Sequence, residues 1–401
     1  MLLDRVTALE WLRARFELSR GGAGQNIRPM EGLRGFAVFL VFLVHYANLI
    51  RPWLLPESSL LEFAKALRLV GSSGVDLFFV LSGFVIYGSL ISREQPFGRF
   101  LLRRVRRIYP AFIVVLSGYV VLSLCAGGES KIPDGAGSGV VYIVSNVLLL
   151  PGLVPIEPLI AVAWSLSYEM FYYFTIPLVI TVFGLRDRER GVRMGFFLAL
   201  AALITGYGAA YGGHLRLVMF VAGIVVWEAT KCNKLPRPGS GVGLLALAVG
   251  LVSVLLPFYG TGGYGLKVGL MFWSFGILCY VCFGNADSWL ARVFSRTPLR
   301  WLGNMSYSYY LLHNLALQVG FLGLGTLVPA GRYEGWFFWA VLPVMFAVTL
   351  FPTGLLFLAV ERPLSLAPGA SRERGKGLCP GDRGHVCARD GAIMTGRVVS
   401  R

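Results

Sequence analysis

Residues 139–152 read GVVYIVSNVLLLPG, an apolar run of 14 residues that ends in Pro151-Gly152 and leads into a stretch bearing Pro155 and Pro158. A helix rises 1.5 Å per residue, so this run reaches about 21 Å and falls short of the roughly 30 Å hydrocarbon core of a bilayer. Its reading decides the fold, because counting it as a crossing or not sets the sidedness of everything that follows. Ten other apolar segments surround it, at about 33–51, 70–91, 109–127, 162–184, 194–211, 214–230, 241–257, 266–284, 303–325 and 336–360. The short run is read as a re-entrant or interfacial piece, and the other ten as crossings.

Charge tests that reading, because Lys and Arg concentrate in cytoplasmic loops. With ten crossings and a cytoplasmic N-terminus, 30 of the 37 lysines and arginines fall inside, leaving Arg51, Lys65, Arg68, Lys131, Arg216, Lys267 and Arg332 outside. Adding 139–152 as an eleventh crossing would put the basic stretches after residue 185 on the wrong side. The expected fold is therefore an all-α integral membrane bundle of about ten transmembrane helices with one re-entrant or interfacial segment.

Composition agrees. Of 401 residues 56% are hydrophobic and only 14% charged, against roughly a quarter charged in soluble chains, and the mean hydropathy is +0.66. The net charge of +16 sits in short loops between apolar runs, which topology explains without a nucleic-acid partner. The six cysteines are scattered and suggest no disulfide framework, and Cys379, His385 and Cys387 form no recognised metal spacing. No metal is expected. Three regions follow: a cytoplasmic leader 1–32, a membrane domain 33–363, and a basic tail 364–401 rich in Gly, Arg and Pro, expected to be disordered and cytoplasmic. The leader has no apolar core of a cleavable signal. It is either disordered or an amphipathic surface helix, since Leu2, Leu3, Val6, Leu9, Leu12 and Phe16 recur at helical spacing.

Ionisable groups inside spans are costly and mark function by default. The first span carries Arg34 and, eleven residues on, His45 near or just past the midplane. A snorkelling arginine and a packed histidine would account for these two alone. The second span places Asp76 in the block GVDLFFVLSGF (74–84), and the fourth places Glu169 at the end of WSLSYE (164–169) at similar depth. A histidine with carboxylates nearby suits a general base whose tautomer an acidic partner sets. Arg99, Arg103, Arg104, Arg106 and Arg107 crowd the start of the third span. Positive-inside anchoring explains them as well as a cytoplasmic phosphate site does, where guanidinium forks would grip phosphate oxygens. His313, in SYSYYLLH (306–313), reads as a packed, hydrogen-bonded histidine, and His214 gets no role.

Together the Arg-x10-His pattern at Arg34 and His45, GVDLFFVLSGF, the Arg-x-x-Arg at Arg104 and Arg107 before Ile-Tyr-Pro, WSLSYE and SYSYYLLH resemble the membrane-bound acyltransferase type 3 family over about residues 28–363. That family includes O-acetyltransferases of O-antigen, exopolysaccharide, peptidoglycan and nodulation factors. The resemblance implies an acyl-CoA donor, usually acetyl-CoA, used from the cytoplasm, and a hydroxyl acceptor on an extracytoplasmic carbohydrate or lipid-linked glycan. It implies that Arg104 and Arg107, with Arg103 beside them, hold CoA phosphate, and that His45, supported by Asp76 or Glu169, deprotonates the acceptor. Arg34 is carried over by motif, with donor positioning as its expected step. It also implies a bacterial inner membrane with both termini cytoplasmic, and glycan-assembly proteins as partners. A proton-coupled transporter and an idle scaffold in a glycan-assembly complex are the competing readings.

Overall fold

In lipid a chain's amides have no partner but the chain itself, so long apolar runs close into helices. The computed structural model describes residues 7–18, 27–55, 59–125, 130–258, 260–331 and 333–366, and the tail expected to be disordered lies outside the described residues from 367 onward. In chain order the helices are α1 (Ala8–Phe16), α2 (Arg28–Leu49), α3 (Ser59–Ile91), α4 (Phe97–Cys125), α5 (Ala136–Val147), α6 (Trp164–Val182) and α7 (Arg190–Tyr211). They continue with α8 (Val218–Thr230), α9 (Ser240–Ser253), α10 (Gly260–Gly284), α11 (Trp289–Phe294), α12 (Thr297–Asn304), α13 (Ser306–Leu327) and α14 (Gly335–Leu356). A π-helical turn, Phe357–Leu366, extends α14.

Among the described residues seven helices are long and apolar enough to cross a membrane: α2, α3, α4, α7, α10, α13 and α14 with its π turn. The other three segments expected to cross are also helical, but α6, α8 and α9 have only 19, 13 and 14 residues. The first two are short because they start beside the middle of α3: Trp164 and Tyr168 of α6 pack on Phe79, and Arg216, just before α8, meets Asp76.

Run 139–152 becomes α5, twelve residues long, followed by a return that folds back into the protein. Leu149, Leu159, Ile160 and Val162 of that return are buried. Asn146 pins the two limbs, its Nδ2 donating to the Tyr142 carbonyl at 3.0 Å while its Oδ1 accepts from the Leu159 amide at 2.8 Å. Tyr310 of α13 completes the anchorage, donating to the Val162 carbonyl at 3.1 Å and lying 2.7 Å from Ser165 Oγ.

Glycines let the helices bearing the site approach closely. A Cβ on Gly83 would stand 2.1 Å from the Phe220 carbonyl oxygen, and one on Gly223 2.0 Å from that of Val80, so only hydrogen fits where α3 meets α8. Gly74 of α3 lies against Ala37 and Leu40 of α2, and Gly71 against Leu40 and Val44, which makes these two helices antiparallel.

The leader is helical over Ala8–Phe16, started by a capping box between Thr7 and Glu10. Its end is tied down. Phe16 stacks on Phe357 with centroids 5.6 Å apart, Asn304 donates to the Phe16 carbonyl at 2.9 Å, and Arg362 donates to that of Ala14 at 2.8 Å. Arg300 of α12, itself buried, bridges Glu17 at 2.7 Å and Glu31 at 2.9 Å.

Candidate active site

Four helices converge on a cavity of about 60 Å³ lined by Arg34 of α2, Ser82 of α3, Glu169 of α6, and Ser306, Tyr307 and Tyr310 of α13, among others. Glu169 Oε1 accepts from Ser82 Oγ at 3.0 Å and from the Tyr173 hydroxyl at 2.6 Å. Two of the expected site residues, Arg34 and Glu169, thus share one cavity. Ser82 and Tyr307 were not anticipated. Both lie inside quoted blocks, and hydroxyls spaced along an otherwise apolar helix were the signal available.

Glu169 and Asp76 were expected at similar depth. They are not, because Ser82, the partner of Glu169, stands six residues beyond Asp76 on α3, about 9 Å along the axis. The cause is the return before α6, which delays the start of that helix until mid-bundle.

His45 lies near the C-terminal end of α2, partly exposed, with its ring centroid 5.0 Å from that of His313 in an edge-on arrangement. His313 is fully buried. Its Nδ1 is 2.9 Å from both the Tyr309 and Tyr310 carbonyls. Carbonyls only accept, so Nδ1 carries the proton and Nε2 keeps its lone pair. That Nε2 is buried without a hydrogen-bond partner among the described residues. His313 was read as a packed, hydrogen-bonded histidine, and it is one through Nδ1, but it also stands beside His45. The spacing of Ser306, Tyr310 and His313 by a turn each places them on one face of α13, which was a legible signal.

Neither expected carboxylate partners His45. Asp76 is buried, and its nearest cation is Arg216, with Nε 3.6 Å from Oδ1. Both Asp76 oxygens lack a hydrogen bond among the described residues. Packing explains the separation: the antiparallel register puts Asp76 beyond Gly74, which faces Ala37, and His45 is eight residues further along α2, about 12 Å away. Arg216, assigned to an outer loop by charge, instead reaches inward with its guanidinium 5.6 Å from the Trp164 ring centroid. His214, given no role, has Nδ1 2.5 Å from the Tyr168 hydroxyl.

The basic stretch of α4 divides by helical phase. Arg99, Arg103 and Arg106 are exposed, and Arg103 bonds Gln95. Arg104 and Arg107, three apart, turn inward. Arg104 lies over the rings of Phe100 at 5.2 Å and Tyr173 at 5.7 Å, and its Nε has no hydrogen-bond partner among the described residues. Arg107 is committed to fully buried Glu361 of the π turn, at 2.5 Å, and lies over Tyr307 at 5.6 Å. Glu361 also accepts from the Ser308 amide at 3.0 Å and its hydroxyl at 2.6 Å, so one carboxylate joins α4 to the start of α13. Tyr173 links Arg104 to Glu169, and Tyr310 links the cavity to His313, with ring centroids 6.2 Å apart. The polar groups form one line from the arginines of α4 to the two histidines. Among the described residues no group of three or more His, Cys, Asp or Glu could hold a metal ion.

The profile of the acyltransferase domain matches residues 28–358. Acyltransferase MdmB of Streptomyces mycarofaciens is 28% identical over 379 residues, covering 86% of this chain and 94% of that protein. Exopolysaccharide production protein ExoZ of Rhizobium meliloti (strain 1021) is 29% identical over 330 residues, covering 77% of this chain and 94% of its own. Peptidoglycan O-acetyltransferase OatA of Listeria monocytogenes is 25% identical over 325 residues, which span 72% of this chain and 49% of OatA. No solved structure matches the chain.

Proposed function

Because this chain belongs to the acyltransferase-domain family and is a membrane acyltransferase, we propose that it moves an acyl group, acetyl in the first instance, from cytoplasmic acyl-CoA to a hydroxyl of an extracytoplasmic carbohydrate or lipid-linked glycan. The names of ExoZ and OatA support a polysaccharide acceptor. The membrane is the bacterial inner membrane, and glycan-assembly proteins are its partners.

The observation that carries the reading is the line of polar groups from Arg104 through Glu169 to His45 and His313. Arg104, with Arg103 and Arg107 beside it, receives CoA phosphate at the inner end. Arg107 contributes less than the motif implies, since Glu361 already neutralises it. Arg34 borders the cavity and positions the donor's acyl arm, which must extend outward about 16 Å along α2 to reach His45. There His45 accepts the proton of the acceptor hydroxyl, and the oxygen attacks the thioester carbonyl. The C–S bond breaks, and the thiolate leaves with the proton that His45 returns. His313 supports His45, with Nδ1 held as donor and Nε2 held as base. Asp76 is reassigned to positioning Arg216. Glu169 keeps a site role as the acceptor that orients Ser82 and Tyr173.

The test is transfer of labelled acetate from acetyl-CoA to membrane glycan by the purified protein. His45→Ala should lose at least about 100-fold in kcat. Full activity in that variant overturns the assignment. Label appearing on protein in the absence of acceptor would replace direct transfer by an acyl-histidine route.

A further inference from the structure

A second cavity, away from the polar line, measures about 540 Å³ and is lined by Leu12 and Phe16 of α1, Phe39 of α2, Leu299 and Trp301 of α12, Phe346 of α14 and their apolar neighbours. A buried cavity of ~150 Å³ suffices for benzene, so this one has room for a hydrocarbon chain on the order of twenty carbons. The edge-on pair Phe39 and Phe346, 5.4 Å apart, forms its inner wall. Beyond Phe346 stands Tyr309, stacked on His313, so the groove and the catalytic line do not share walls of polar groups.

Two observations identify the occupant. In this apolar lining the indole Nε1 of Trp301 is buried and has no hydrogen-bond partner among the described residues. It is sealed from the groove as well as from solvent, so the groove offers an occupant apolar surface alone. The rim is basic. Arg13 and Arg15 flank the groove residues of α1, and Arg296 precedes those of α12, all three exposed. The acidic group at this end of α1, Glu17, is already engaged by Arg300. A long apolar chain with a negative charge beyond it describes a membrane lipid. We propose that this groove is a binding site for one acyl chain of an anionic glycerophospholipid, whose phosphate lies among Arg13, Arg15 and Arg296. The lipid then completes the packing of α1 alongside its polar ties to Arg362, Asn304 and Arg300.

The experiment places the full chain in phosphatidylcholine nanodiscs containing phosphatidylglycerol with a photoactivatable diazirine on one acyl chain, and maps the adducts by peptide mass spectrometry. Adducts are expected on the 299–305 and 346–350 peptides, at least tenfold above those on the lipid-facing 178–183 peptide. Leu350→Trp, which fills the groove, should reduce them at least tenfold. Arg13→Gln, Arg15→Gln and Arg296→Gln together, which keep the groove and remove the charge, should reduce them several-fold while leaving labelling of 178–183 unchanged. Labelling spread evenly over all lipid-facing helices, or unchanged by both variants, overturns the proposal. So does a crosslink from a photoreactive residue at Leu12 to the chain's own terminal segments, which would make the occupant protein.

Discussion

Replacing His313 by Asn keeps a donor near the carbonyls of Tyr309 and Tyr310 but removes the lone pair next to His45. The expected outcome is a fall in kcat of about 10-fold or more with little change in KM for acetyl-CoA, read by initial rates on protein of unaltered melting temperature. A loss confined to stability would return His313 to a packing role. Asp76 makes the opposite prediction. Arg216→Ala strands a buried carboxylate and should destabilise by ~3–5 kcal/mol, whereas Asp76→Asn with Arg216→Gln should recover most of that stability and keep measurable turnover. A double variant that folds well but is dead would restore Asp76 to the chemistry. These roles were only partly legible beforehand. Arg34 and His45 announce themselves as charges in an apolar run. The partner of His45 is 268 residues away on another helix, and no spacing connects them.

At the scale of elements, the apolar runs announced the helices well because a lipid-facing helix can hide neither its length nor its charges. What they concealed was where helices begin relative to one another. α3 starts at Ser59, well ahead of its apolar core, while α6 and α8 start late, and those offsets decide which carboxylate meets which cation. The α3 and α8 contact is exacting: Gly83→Leu should abolish monodisperse protein in gel filtration, since the nearest obstacle is a backbone carbonyl that cannot rotate away. Glu361 is a more tolerant joint. Glu361→Gln removes one charge from a carboxylate serving both Arg107 and Ser308. The expected result is a several-fold higher KM for acetyl-CoA with kcat changed less. A π turn carrying such a residue fits the tendency of these turns to occur at functional sites.

For the whole molecule, the charge tally assigns both ends of α5 to the outer face, and labelling tests that sidedness. Single cysteines placed at Lys131 and at Glu157, on either side of α5 and joined at 2.6 Å in the structure, should both react with a membrane-impermeant maleimide added from outside, and one at Arg188 should not. Opposite labelling of the first two would make α5 a crossing. The return also bears on how the protein is made. Segments leave the ribosome in order, yet residues 148–163 are anchored by Tyr310, which is synthesised about 150 residues later. Until α13 arrives, this hairpin and the polar start of α6 lack their tertiary partners. The nascent chain must therefore either hold them at the bilayer surface or insert them provisionally, and the catalytic cavity is assembled last.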